Sequence, residues 1–221
     1  MLLNADRSQR VVIDAATAPW VASPAPGVER IKLEREDEEA GRATSIVRYA
    51  AGSAFTAHTH HGGEEFLVLE GVFHDEHGQY AAGTYVRNPR GSLHAPGSVP
   101  GCVLFVKLCQ IPEDDRHRIC LRDTFAQCTP YAEQLDRNQT ECEFLLHQTR
   151  HERVSLLCWR AGHSAPVHVL SHREEVLVLD GDLEDEHGIY RQRTWLRQPA
   201  GHRHRAHTRG GCLLYLKRMF D

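Results

Sequence analysis

The chain repeats itself at a constant offset of 110 residues, and this feature limits its possible folds more than any other. The segment "EEFLVLEGVFHDEHGQYAAGTYVRNPRGSLHAP" at 64–96 aligns without a gap to "EEVLVLDGDLEDEHGIYRQRTWLRQPAGHRHRA" at 174–206. The same register pairs Gly52 with Gly162, His58 with His168, Glu64 with Glu174, Gly71 with Gly181 and Pro89 with Pro199. It continues through Gly91 with Gly201, His94 with His204, Cys102 with Cys212 and Lys107 with Lys217. Self-similarity of this kind means two copies of one structural unit. The expected domains are therefore 1–112 and 113–221.

Within each copy the pattern is β. "FLVLEGVF" and "CVLFVKL" in the first, with "VLVLDGDL" and "CLLYLKR" in the second, are short runs rich in Val, Leu and aromatic residues. Turn residues interrupt them at short intervals, so the fold class is all-β, as two sandwiches or barrels. The repeated "DEHG" at 75–78 and 185–188 reads as a hairpin tip, with Gly supplying positive φ and His77 and His187 exposed. The one stretch with helical flavour, "TPYAEQLDR" at 129–137, is placed in the connection between copies.

A formal net charge of −4 gives no reason to expect nucleic acid or an anionic membrane as partner. No apolar run approaches the length of a membrane span, and the N-terminus does not read as a signal peptide. The seven cysteines form no CxxC pair and no repeated framework, which points to a reduced, cytoplasmic setting. Cys102 and Cys212, at matching places in a strand, read as small apolar residues rather than reactive thiols.

Histidine stands out, at 16 residues. In "GSAFTAHTHHGGEEFLVLEG" at 52–71, His58 and His60 share one face of a strand because side chains at i and i+2 point the same way. Gly62 and Gly63 turn the chain so that Glu64 can return to the same point. A Pro-x-Gly turn ahead of His94 can bring a further imidazole from another strand. This is an N3O donor set suited to one divalent transition metal (Zn, Fe, Ni, Mn or Cu), with no thiolate to narrow the choice. His61 breaks the i, i+2 phase and is expected outside the cluster, while Glu65 points to the opposite face in an exposed or structural role.

This spacing resembles the cupin superfamily, whose motifs run G-x5-H-x-H-x3,4-E-x6-G and G-x5-P-x-G-x2-H-x3-N. The chain reads Gly52, His58, His60, Glu64, Gly71 and then Gly83, Pro89, Gly91, His94, with Ser98 where the superfamily has Asn. The intervening wording, together with "PWVASPAPGVERIKLER" at 19–35, is similar to the ChrR-type cupin family. The resemblance implies two tandem double-stranded β-helix jelly rolls, the first with a metal on His58, His60, Glu64 and His94. The second copy reads His168, Leu170, Glu174 and His204. Leucine cannot coordinate a metal, so His168, Glu174 and His204 are expected to be a vestigial second metal site, with His172 a possible substitute ligand.

The resemblance leaves three functional expectations. The leading one is a metal-binding bicupin linked to oxidative-stress sensing or anti-sigma-type transcriptional regulation, with a regulatory protein partner. That family's helical domain carries a His-x3-Cys-x2-Cys zinc motif, which this sequence lacks. The second is an Fe(II)-dependent dioxygenase cleaving a diketone, hydroxyketone or phenolic substrate. The third is a non-catalytic, metal-stabilised module for a small-molecule ligand. Two cupins in one chain are compatible with a monomer or a homodimer.

Overall fold

A computed structural model describes residues 2–37, 41–128 and 139–220. The expected helical stretch at 129–137 lies outside these residues. The chain divides into two compact units, each an antiparallel β-structure.

The main sheet of the first unit runs in the spatial order Ile119–Leu121, Tyr85–Asn88, Glu64–Asp75, Cys102–Leu108, Ala43–Tyr49, Val28–Arg35 and Val21–Ala22. The second unit repeats it as Val11–Asp14, Thr194–Gln198, Arg173–Asp185, Cys212–Met219, Glu152–Trp159 and Glu141–Gln148. The long strand of each copy contains a register shift, opposite Val103/Leu104 in the first and at Val178/Asp180 in the second. A bulge bends a strand and increases its twist. Here it lets one strand serve the main sheet with Glu64–Val68 and then turn into the hairpin with Gly78–Ala81. The "DEHG" turns lie at the tips of these hairpins, with Gly78 at φ 142° and His77 and His187 exposed.

The units are not contiguous in sequence. The first comprises Met1–Ala5 and Pro19–Thr124, the second Asp6–Ala18 and Phe125–Asp221. The division expected at 112/113 thus differs at two places, because the strand preceding each repeat belongs to the other repeat's sheet. Val11–Asp14 pairs with Thr194–Arg197, and Ile119–Leu121 pairs with Tyr85–Arg87. A buried arginine on each receiving strand explains the exchange. Arg87, wholly buried, binds Asp115 Oδ2 through Nε at 2.9 Å and Glu65 Oε2 through Nη1 at 2.8 Å. Arg197, also wholly buried, donates through Nη2 to the Asp6 carbonyl at 2.7 Å. Each exchanged segment brings polar groups to an arginine that the opposite repeat buries.

Each barrel is filled by alternate residues of its strands. The first core joins Phe66, Val68, Phe73, Tyr80, Val86 and Leu104, and the second joins the equivalent Val176, Val178, Leu183, Tyr190, Leu196 and Leu214. Gly71 sits at the bend with φ +72°, and a Cβ there would lie 2.1 Å from the Gly101 carbonyl oxygen. Gly181 repeats this against Gly211 at the same 2.1 Å. Backbone cannot yield as a flexible side chain can, and positive φ adds strain. Gly71→Ala is expected to cost more than about 2 kcal/mol, read as a lowered urea midpoint.

Candidate metal centre

Two short strands build the centre. His58–His60 pairs antiparallel with Ser92–His94, the register setting His94 opposite His58 and Ser92 opposite His60. The Pro89–Gly91 turn is locked to this pair by the Gly91 N–H donating to the His60 carbonyl at 2.8 Å, with Gly91 at φ +81°. One histidine pair and one returning strand thereby bring three imidazoles together: centroids are 4.7 Å apart for His58 and His60, 4.8 Å for His60 and His94, and 5.2 Å for His58 and His94. One nitrogen from each of the three lies within 4.8 Å of the others.

Glu64 falls outside that mutual limit yet reaches two of the three histidines. Its Oε2 is 3.6 Å from His60 Nε2 and 3.7 Å from His94 Nε2. Gly63, at φ +76°, makes the turn that returns it. His61 is exposed and takes no part in the group, as its phase predicts. Glu65 is 2% exposed and structural, held by Arg87. Ser98, at the place of the superfamily's Asn, donates its hydroxyl to the Val72 carbonyl at 2.6 Å.

The outer contacts fix which nitrogens face inward. His58 Nδ1 lies 2.9 Å from the Thr56 carbonyl, so it carries the proton and leaves the Nε2 lone pair free. His94 Nδ1 lies 3.2 Å from Asp75 Oδ2. Its Nε2 is 2.9 Å from His60 Nε2. Two ligands each ~2.1 Å from a common ion at roughly right angles stand about 3 Å apart, so the spacing and the inward lone pairs fit a metal ion. Glu64 Oε2 also accepts from Asn88 Nδ2 at 3.1 Å, which orients the carboxylate.

Asp75, read from the sequence only as part of a hairpin tip, is a positioning residue for His94. Burial raises its carboxyl, but hydrogen bonds from His94, Tyr80 and the His77 N–H outweigh this and hold it at about 2. Burial lowers His94, and the Asp75 hydrogen bond and Glu64 charge reverse that to a net rise. Burial also lowers His60, against the pull of Glu64. A carboxylate on the outer nitrogen of a ligating imidazole raises its basicity and fixes its orientation. Asp75→Asn is expected to weaken metal binding about 10–100-fold, measured by competition with a chromophoric chelator. The available signal was the repetition of Asp75 and Tyr80 as Asp185 and Tyr190.

The second unit does not repeat the centre. His168 and His204 remain adjacent, with ring centroids 4.8 Å apart. Leu170 is buried where His60 stands in the first copy, and Glu174 Oε1 is held by Arg218 Nε at 2.9 Å. His172 is exposed and packs on Phe220. Among the described residues His168, Glu174 and His204 are not among the groups that could hold a metal, whereas His58, His60 and His94 are. Arg218, in the position of Leu108, was not singled out in the sequence, and it occupies the carboxylate that a metal would need.

Burial pushes the Cys102 thiol up to about 11 and the Cys212 thiol up to about 12, in keeping with an apolar role. A further group was invisible in the linear spacing. Cys142 and Cys158 face each other across paired strands, and hydrogen bonds from Cys128 and Cys142 lower the Cys158 thiol despite burial.

The family model described as "ChrR Cupin-like domain" matches residues 8–112 and again 126–219. The chain belongs to the ChrR cupin-like family. Each matched segment covers one copy of the repeat. No curated protein sequence matches this ChrR cupin-like chain. Solved structures do resemble it. A candidate dioxygenase from Nostoc punctiforme PCC 73102 superposes with a TM-score of 0.76 at 15% identity, covering 97% of this chain and 84% of that one. Salicylate 1,2-dioxygenase from Pseudaminobacter salicylatoxidans gives 0.71 at 10% identity, covering 97% and 84%. The bacterial pirin YhhW from Escherichia coli, in complex with nickel(II), gives 0.67 at 13% identity, covering 96% and 99%. At these identities the likeness establishes the bicupin fold. Among the described residues no helix is long and apolar enough to cross a membrane.

Proposed function

We propose that the first barrel is a metal-dependent oxygenase site, with one divalent transition metal held by His58, His60, Glu64 and His94. One observation carries the reading: His58, His60 and Glu64 border a cavity of about 810 Å³, mouth included, whose other walls include Tyr49, Phe55, Phe73 and Leu104. Apolar walls with a few convergent polar groups are the usual form of a small-molecule site.

When bound, the ion would supply Lewis acidity toward a carbonyl, enolate or phenolate oxygen and, if it is iron, redox chemistry toward dioxygen. The chain's residues do the rest. Thr56 and Asp75 hold the His58 and His94 rings, and Asn88 holds the Glu64 carboxylate. Phe55 and Phe73 pack on Tyr49, with centroids 5.8 and 5.6 Å away, and form a rigid wall against which a diketone, hydroxyketone or phenol can be oriented and water kept out. The dioxygenases among the similar folds support this choice of reaction class.

The test is elemental analysis of protein purified without added metal, followed by oxygen consumption on an iron-loaded sample with diketone, hydroxyketone and phenol substrates. Iron occupancy with substrate-dependent oxygen uptake is expected. Tight zinc occupancy with no uptake across the panel would discard the oxygenase reading. The family match favours a second reading, in which the same metal centre serves oxidative-stress sensing with a regulatory protein partner. That reading predicts recovery of a specific partner whose binding changes when the metal is removed.

A further inference from the structure

The second barrel contains a cavity of about 730 Å³, mouth included, at the place where the first barrel keeps its metal centre. Its depth follows from a set of substitutions between the copies. Phe55, Phe66 and Phe73 of the first barrel become Ala165, Val176 and Leu183 in the second. In the first barrel Phe66 and Phe73 meet at 5.0 Å between centroids, and the cavity there runs along Tyr49, Leu104 and Val106 without reaching Phe66, Val86 or Asn88. In the second, the cavity reaches Val176, Leu196 and Gln198, deep positions that the smaller side chains uncover.

Three polar atoms on the cavity lining are buried and have no hydrogen-bond partner among the described residues: Trp159 Nε1, His204 Nε2 and Gln198 Oε1. Their residues are only 7%, 7% and 3% exposed. Buried polar atoms without partners cost stability, so such a set is best explained by a ligand that satisfies them. His204 Nδ1 faces the Gln198 Nε2 amide donor at 3.5 Å, so Nδ1 accepts and Nε2 bears the proton. The cavity thus offers N–H donors from Trp159 and His204 and an acceptor from Gln198. Of its charged lining residues, Arg218 is bound to Glu174 and Glu143 and Asp185 to Arg10, while Glu141 is more than half exposed beside His163, so among the described residues no unpaired cation faces the cavity.

We propose that the second barrel is a metal-free binding site for an uncharged, mostly apolar organic molecule bearing one carbonyl or hydroxyl oxygen. The oxygen accepts from Trp159 or His204, a hydroxyl also donates to Gln198, and the hydrocarbon part lies against Val176, Leu183 and Leu196. The copy that lost the second histidine has become a receptor rather than an inert spacer. This site is separate from the first barrel and does not depend on the reaction proposed there.

The test is calorimetric titration of the full, chelator-treated chain with acetophenone and phenol, with ethylbenzene lacking the oxygen and benzoate carrying a charge as comparisons. Acetophenone is expected to bind with a dissociation constant of about 1 mM or tighter, ethylbenzene about tenfold more weakly, and benzoate not measurably. Val176→Phe, which restores the first barrel's ring, should abolish binding. Trp159→Phe, which removes the N–H and keeps an aromatic ring, should weaken acetophenone about tenfold without affecting ethylbenzene. Circular dichroism establishes that each variant is folded, and His204→Leu serves in place of either one that is not. The proposal is overturned if neither acetophenone nor phenol binds. It is equally overturned if Val176→Phe leaves binding intact, if binding requires metal, or if ethylbenzene binds as tightly as acetophenone.

Discussion

His60→Ala is expected to reduce bound metal from about one ion per chain to a small fraction, while His168→Ala leaves the content unchanged. The contrast follows from the two sites' contacts. His60 Nε2 lies 2.9 Å from His94 Nε2 and 3.6 Å from Glu64 Oε2, so its loss removes the member that links the other ligands. In the second barrel Leu170 already stands at that position, and Glu174 is engaged by Arg218. Elemental analysis of both variants, normalised to protein, decides the matter. Equal metal loss in both would mean that the second barrel also holds an ion and that the Arg218–Glu174 pair opens to admit it.

Arg87→Leu is expected to destabilise the first unit by about 3–5 kcal/mol, measured by urea unfolding. Arg87 is wholly buried and binds both Glu65 and Asp115, themselves only 2% and 5% exposed. Removing the cation takes away the guanidinium that both buried carboxylates bind, and the cost of breaking a buried ion pair far exceeds that of a lost surface pair. Arg90 provides the comparison. It lies 3.6 Å from Glu113, whose side chain is 85% exposed, and Arg90→Ala should cost no more than about 1 kcal/mol. Because Asp115 lies in the segment that carries the exchanged strand, Arg87→Leu should also loosen 113–124, visible as faster amide exchange at Ile119–Leu121.

Much of the centre was legible in the linear chain because its determinants are local. The i, i+2 spacing of His58 and His60, the turn at Gly63 and the Pro89–Gly91 turn ahead of His94 each act over a few residues. The same holds for the hairpin tips, where Asp75 accepts from the His77 N–H at 2.8 Å within one turn. Asp75 as the partner of His94 was hidden, since that contact spans 19 residues and depends on how the hairpin folds back over the short strand. Arg218 was hidden for a similar reason, reaching Glu174 across 44 residues.

By itself the sequence determined the all-β character, the presence of two copies and the grouping of His58, His60 and His94 in the first, because repetition and alternation are properties of the linear chain. The tertiary structure decided which segment completes which barrel. A strand's hydrogen-bonding edge accepts any compatible partner, and the choice fell to buried groups far apart in sequence, Arg87 with Asp115 and Arg197 with Asp6. It also decided what became of the second copy. The positions where Leu170 replaces a histidine, smaller side chains replace aromatic rings and Arg218 replaces a leucine lie far apart in the chain, and they give the second cavity its own lining only where the barrel closes around them.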